Sequence, residues 1–237
     1  MPGAEVRVIQ GVDQGLPPSD INIVIDVIRA FTVAHLAFVR GTREILLVNS
    51  VEEAMALKAQ QPGYLLAGEI RGLPIPGFDL DNSPYRVSLA ELQGRTLVQK
   101  TTHGVTATLA ALDARYVLVT GFSNASSTAR FARGLVEGTG FRRINVIASH
   151  GQDDDDLACA ELIRDRILNI GAVDPDSVIE RIRASRPAAK FLTGQPNGFE
   201  PRDLDFCVRA YDSDFVMQVD SGSAPPRIGW GRFVDHS

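Results

Sequence analysis

The side chains in this sequence that could do chemistry stand just behind short apolar runs. The run Ile21–Ile25 leads to Asp26 and Arg29, and the run ending near Leu66 leads to Gly68-Glu69 and Arg71-Gly72. Three more end in Lys100-Thr101-Thr102-His103-Gly104, in Gly121-Phe122-Ser123-Asn124, and in Ser149-His150-Gly151 ahead of the acidic run Asp153–Asp156. Carboxylates are hard oxygen ligands of the kind Mg²⁺ prefers. Gly, Ser and Thr at helix starts present backbone N–H groups and a favourable dipole to an anion. The inventory fits a phosphate bound through Mg²⁺ with arginine support. Asp26, Arg29, Glu69 and Arg71 are the catalytic candidates. Lys100, Thr102, His103, Gly104, Ser123 and Asn124 are the substrate-binding candidates, and Asp26, Glu69, Asp155 and Asp156 the metal ligands.

Each of these has a plainer use. Asp26 could cap a helix or pair with Arg29, and Glu69 with Arg71 could form a surface ion pair. His103 and His150 are as suited to loop hydrogen bonds as to catalysis, and Asp153–Asp156 alone reads as a solvated helix start. Convergence favours chemistry, because in open α/β sheets ligands bind beyond the carboxyl ends of the strands.

The elements that must position these groups follow from the apolar pattern. Unbroken runs at Ile21–Ile25, Glu44–Val48, Tyr64–Ala67, Thr96–Gln99, Tyr116–Thr120 and Ile144–Ala148 predict strands covered on both faces. Ser50 with Glu53 makes a capping box for a helix over Val51–Gln60, and Ser88 with Glu91 predicts a shorter helix closed by Gly94. The stripe Leu157, Ala160, Ile163, Ile167 predicts a helix over Asp155–Ile170. Asp174-Pro175 opens another, reaching about Ser185. Alternating strands and helices predict one α/β domain over residues 1–237, a three-layer α/β/α sandwich with a mostly parallel or mixed sheet. Ile70–Pro84 is long and rich in Gly and Pro, as functional loops are. The chain from Gly194 onward reads as irregular, with Phe215–Val219 an edge or closing strand and a mobile tail after Ser221.

Composition narrows the function classes. With 44% hydrophobic and 22% charged residues the chain is ordinary for a globular domain, and its net charge of −5 disfavours nucleic-acid binding. Two cysteines do not make a disulfide framework, the N-terminus lacks a signal-peptide pattern, and no run approaches a membrane span. The expectation is a cytoplasmic protein, with a homodimer the common arrangement. There is no Walker motif. Cys159 and Arg164 are one residue too close for a cysteine-phosphatase loop. Asp79-Leu80-Asp81 follows Pro74-Ile75-Pro76-Gly77, which cannot be a central strand.

The segment Ile23-Val24-Ile25-Asp26-Val27-Ile28-Arg29-Ala30 resembles the opening motif of the 2-phosphosulfolactate phosphatases. The similarity continues in order through Leu65–Glu69 with Arg71-Gly72, Gly77–Leu80, Asn82-Ser83-Pro84, Thr101-Thr102 before Gly104, Asn124-Ala125, Asp155-Asp156 before Cys159-Ala160, Asp203-Leu204 and Cys207. The resemblance implies Mg²⁺-dependent hydrolysis of 2-phospho-3-sulfolactate to sulfolactate and phosphate, a step of coenzyme M biosynthesis. Departures fall at His103-Gly104-Val105-Thr106, where the family has Asn-Gly-Thr-Arg, at Asp155-Asp156, where it has Glu-Asp, and at Arg29-Ala30-Phe31-Thr32 for Arg-Ala-Thr-Ser. Losing that arginine leaves two rival readings, a phosphatase of the same fold for another phosphorylated carboxylic acid and a non-catalytic anion-binding protein. The expected partner is a small anionic phosphorylated substrate.

Overall fold

The computed structural model describes residues 4–192, 198–211 and 213–232. Among them are eleven strands: β1 (Glu5–Gln10), β2 (Ile21–Ile25), β3 (Glu44–Leu47), β4 (Leu65–Ile70), β5 (Leu73–Pro74), β6 (Leu80–Asp81), β7 (Thr96–Lys100), β8 (Tyr116–Thr120), β9 (Arg143–Ala148), β10 (Phe215–Asp220) and β11 (Arg227–Arg232). The helices are α1 (Ala30–Val39), α2 (Val51–Gln60), α3 (Pro84–Leu89), α4 (Gly104–Ala110), α5 (Ala125–Thr139), α6 (Asp154–Leu168), α7 (Pro175–Ala184), α8 (Arg186–Leu192) and α9 (Asp203–Cys207). The strand order is β1-β9-β2-β8-β10-β11-β3-β7-β4-β5, with β6 beside β4. The expected three-layer α/β arrangement with a mixed sheet is what forms.

The sheet consists of two parallel halves, β1-β9-β2-β8 and β3-β7-β4, joined by the antiparallel hairpin β10-β11. β10 is antiparallel to β8 and β11 to β3, so the halves run in opposite directions. Strand pleat sorts the side chains. Ile21, Ile23, Ile25 and Leu118 face the cluster with α5, α6 and α7, whereas Val24, Val117 and Val119 face the one containing α1. That second cluster also takes Ile45, Leu47 and Leu97 from the other half. α1, with the sequence AFTVAHLAFV, is therefore buried from Ala30 to Phe38. A helix that is apolar all round is stable only with protein on every side. His35 within it bonds Ser123 Oγ at 2.9 Å and Ser213 Oγ at 2.7 Å, and burial lowers its pKa to about 4, which keeps the ring neutral.

Several expectations change. The hairpin β10-β11 is central rather than an edge strand with a mobile tail. The residues before Ile228 gave no strand signal because Gly222 to Pro226 break the pattern, and pairing with β3 supplies the order. β1 escaped notice because Glu5-Val6-Arg7-Val8 alternates, as an edge strand does, instead of forming an apolar run. The helix expected from Ser88 begins at Pro84 instead, capped by Ser83, whose Oγ accepts from Arg86 N–H. The long loop Ile70–Pro84 carries the short strands β5 and β6. The irregular stretch from Gly194 opens in residues 193–197, outside the described residues, but includes α9.

If β11 holds the halves together, Ile228, fully buried in the central cluster, is a sensitive probe. Ile228→Ala should lower stability by about 2–5 kcal/mol. Urea denaturation measures this, and an unchanged midpoint would mean the strand is dispensable.

Candidate active site

A cleft of about 350 Å³ opens where β2 and β9 of one half meet the ends of β4 and β7 of the other. Residues that follow strands of both oppositely directed halves line this one cleft. The first wall is acidic. Asp26, directly after β2, is 6% exposed and accepts from Ala30 N–H at 2.9 Å through Oδ1. Gly104 N–H supports it from the start of α4. Asp156 Oδ1 accepts from Val27 N–H at 2.8 Å, and its Oδ2 accepts from Ser149 N–H and Ser149 Oγ–H. Asp155 is 2% exposed, and its Oδ1 has no partner.

Water excluded from one wall with several carboxyls on it penalises ionisation. Burial, opposed by the Ala30 N–H bond and reinforced by Glu69, raises the pKa of Asp26 to about 6. Burial, then the charges of Asp26 and Asp153, raises Asp155 to about 7, and Asp156 is pushed up by burial and by both neighbours. The acidic run is thus not a solvated helix start. Asp154 turns outward to Arg181, while Asp153, Asp155 and Asp156 turn in.

The second wall is two loops clamped together by Glu69. Its carboxylate accepts from Thr102 N–H, Thr102 Oγ–H and Gly72 N–H, and Thr102 Oγ in turn accepts from Arg71 N–H at 2.8 Å. With both oxygens accepting hydrogen bonds, Glu69 clamps the two loops together at the cleft edge. Arg71 has φ of +53°, a left-handed conformation that costs a non-glycine residue of order 1–2 kcal/mol. Two glycines permit the approach. A Cβ on Gly68 would lie 1.8 Å from Lys100 O, and one on Gly104 would lie 2.7 Å from Asp26 Oδ2.

Arg29 does not extend as a substrate clamp. It is 4% exposed and donates to Asp203 at 2.9 Å, to Gly198 O at 2.6 Å and to Gly72 O at 3.1 Å. Its guanidinium centre lies 4.9 Å from the Phe191 ring and 5.7 Å from that of Phe199. It lines the cleft yet spends its donors on three segments of wall. The expected cradle at Ser123 and Asn124 does not form there. Ser123 bonds His35, and Asn124 bonds Thr120 and Gly121 within the core. Asn124 and Ser123 follow a strand that ends against α1, so their polarity stabilises a helix start. Gly104 holds Asp26 rather than lining the cleft, and Lys100 donates to Thr101 O outside it. Asp26, Arg71, Thr102, His103, Asp155 and Asp156 do share the cleft with Glu69.

Sequence reading missed the cationic contribution of α8. Arg186 and Lys190 both line the cleft, and Arg186 bonds Asp153 at 2.9 Å. Their i, i+4 spacing places them on one helix face. The signal was present, but α8 follows α7 with only Ser185 between, and the helix expected from Asp174-Pro175 stops at about Ser185 with nothing assigned beyond it. Asn82 was missed as well; it is 4% exposed, lines the cleft, and its Oδ1 is without a partner.

Two buried oxygens without donors, Asp155 Oδ1 and Asn82 Oδ1, in a cleft of raised carboxyl pKa values fit a hard divalent cation. Among the described residues no three Asp, Glu, His or Cys side chains stand close enough to enclose one unaided. That suits Mg²⁺, which usually keeps several waters and takes one or two carboxylates plus substrate phosphate.

The 2-phosphosulpholactate phosphatase family profile matches residues 9–222. A Bacillus subtilis protein named "Probable 2-phosphosulfolactate phosphatase" is 48% identical over 94% of this chain and 97% of its own length. A Thermus thermophilus protein of the same name is 33% identical over 93% of this chain and 92% of its own. No helix among the described residues is long and apolar enough to cross a membrane.

The raised carboxyls set a pH dependence. The folded state holds protons on Asp26 and Asp155 above their ordinary value of 3.8, so their contribution to stability is full below that pH and is lost as pH rises through about 6 and 7. Asp155→Asn removes one of these charges. In EDTA it should be more stable than the native chain at pH 8, by on the order of a few kcal/mol, with the gain vanishing toward pH 4. Urea denaturation at both pH values reads this; a variant less stable at pH 8 would show that Asp155 is not under charge strain.

Proposed function

The chain belongs to the 2-phosphosulfolactate phosphatase family, and from that premise we propose that it is a phosphoric-monoester hydrolase acting with Mg²⁺ on 2-phospho-3-sulfolactate. The observation that carries the reading is the pair of donorless buried oxygens, Asp155 Oδ1 and Asn82 Oδ1, in a cleft that also presents Arg71, Arg186 and Lys190. Such a substrate bears phosphate, carboxylate and sulfonate groups, and it needs cations for its own charge where the protein supplies carboxylates. Arginine and lysine side chains at the rim meet the anionic groups.

The reaction breaks the bond between phosphorus and the ester oxygen. Water adds to phosphorus, one of its protons leaves, and the ester oxygen departs as the hydroxyl of sulfolactate. Asp26, Asp155 and Asn82 would hold the Mg²⁺, with Asp156 behind them fixed to Val27 and Ser149. When bound, the metal neutralises phosphate charge and orients the attacking oxygen. In its ionised form a carboxylate of the Asp26–Asp155 wall, made more basic by burial, would accept the proton of the attacking water, and that proton, passed on through solvent, completes the hydroxyl of the departing ester oxygen. Glu69 fixes Arg71 and Thr102 in place, and Arg29 fixes the facing wall.

The test is phosphate release from 2-phosphosulfolactate, 2-phosphoglycerate and 2-phospholactate, with Mg²⁺ and with EDTA. The native chain should release phosphate with Mg²⁺ and stop in EDTA. Asp26→Asn should reduce kcat by about 10²-fold or more while circular dichroism stays unchanged. Release unaffected by EDTA, or native rates in a folded Asp26→Asn variant, would refute the proposal.

A further inference from the structure

We infer that the cleft continues into a second groove, and that this groove takes the hydroxylated chain of a phosphorylated sugar acid. The inference rests on the phosphatase reading and adds to its three-carbon substrate a second, longer one. The groove has a volume of about 870 Å³ and shares Thr102, His103, Ser149, His150 and Arg186 with the cleft. Cleft and groove therefore adjoin along these five residues. The His103 and His150 rings meet edge to face at the junction, with centroids 4.5 Å apart.

Size gives the first argument. Ligand sites span roughly 300–1,000 Å³, so the cleft alone suits a three-carbon phosphate ester and such an ester leaves the groove empty. Lining chemistry gives the second. Gln10, Gln14 and Gln152 bring neutral amides, and Thr106 brings a hydroxyl. At the floor, Gly11 packs so close to Gly151 that a Cβ on Gly11 would lie 3.3 Å from Gly151 Cα, which leaves backbone rather than side chain facing the space. Amides, a hydroxyl and bare backbone match the donors and acceptors of a polyol. Among the described residues Arg186 is the one lysine or arginine on the groove and Asp13 the one carboxylate. That balance accommodates a single carboxylate and disfavours a second phosphate.

Two probes carry the same charged groups and differ in the chain between them: 6-phosphogluconate, with four intervening hydroxyls, and 2-phosphoglycerate. Calorimetry with Mg²⁺ should find 6-phosphogluconate bound about tenfold more tightly, as two or three added hydrogen bonds would give. Thr106→Phe fills the groove from the exposed side of α4 and should bring that ratio to near one, with circular dichroism confirming the fold. Equal affinities in the native chain, or a ratio that Thr106→Phe leaves unchanged, would overturn the groove even if 2-phosphosulfolactate is hydrolysed. A persistent tenfold ratio with no phosphate released from any ester would uphold the groove and overturn the phosphatase reading instead.

Discussion

The cleft is organised by carboxyl groups held together out of water. Asp26, Asp155 and Asp156 stand on one wall, each raising the cost of ionising the next, and burial alone is the largest cause of the shift in all three. Left to themselves, such groups would protonate or turn to solvent. The fold denies them the second course. Backbone N–H groups of Val27, Ala30 and Ser149 fix Asp156 and Asp26, while Asp155 Oδ1 is given nothing. A site that leaves one buried oxygen unserved beside two fixed carboxylates is complementary to a cation brought from outside. Where that cation brings a phosphate with it, the rim cations of α8 and Arg71 acquire their use.

Holding this wall in place requires the two halves of the sheet to be joined. β2 and β9 belong to one parallel half and β4 and β7 to the other, and the hairpin β10-β11 spans the gap between them. α1 fills the space inside, and the Arg29–Asp203 pair at its start ties Gly72 and Gly198 to the same point. A buried ion pair of this kind adds little net stability, because desolvation offsets attraction. Its contribution is registry, with one guanidinium setting three backbone segments relative to each other across the cleft.

Much of this was legible in the sequence. Six buried strands announce themselves as apolar runs, and Asp26, Glu69, Thr102 and Asp155 were found because each follows such a run or opens a helix. What was not legible depended on long-range pairing. Whether Arg29 meets substrate or Asp203, 174 positions later, is decided by folding and not by local pattern. Ser123 and Asn124 have the residue types of an anion cradle, but the strand before them ends against α1 and His35 rather than at the cleft. β11 lies behind a turn rich in Gly, Ser and Pro, and its place at the centre of the sheet follows from pairing with β3. The groove beside His103 combines loops near residues 11 and 151 with α4 at Thr106, which no window along the chain brings together.

The central claim is that the acidic wall is a cation site serving a phosphate. The most direct measurement is anomalous diffraction from crystals grown with Mn²⁺, a hard divalent stand-in, together with inorganic phosphate. The arrangement described here requires an anomalous peak within ligand distance of Asp26 or Asp155, with phosphate oxygen completing its coordination. Manganese found elsewhere, or no peak at that wall under saturating metal, would contradict it.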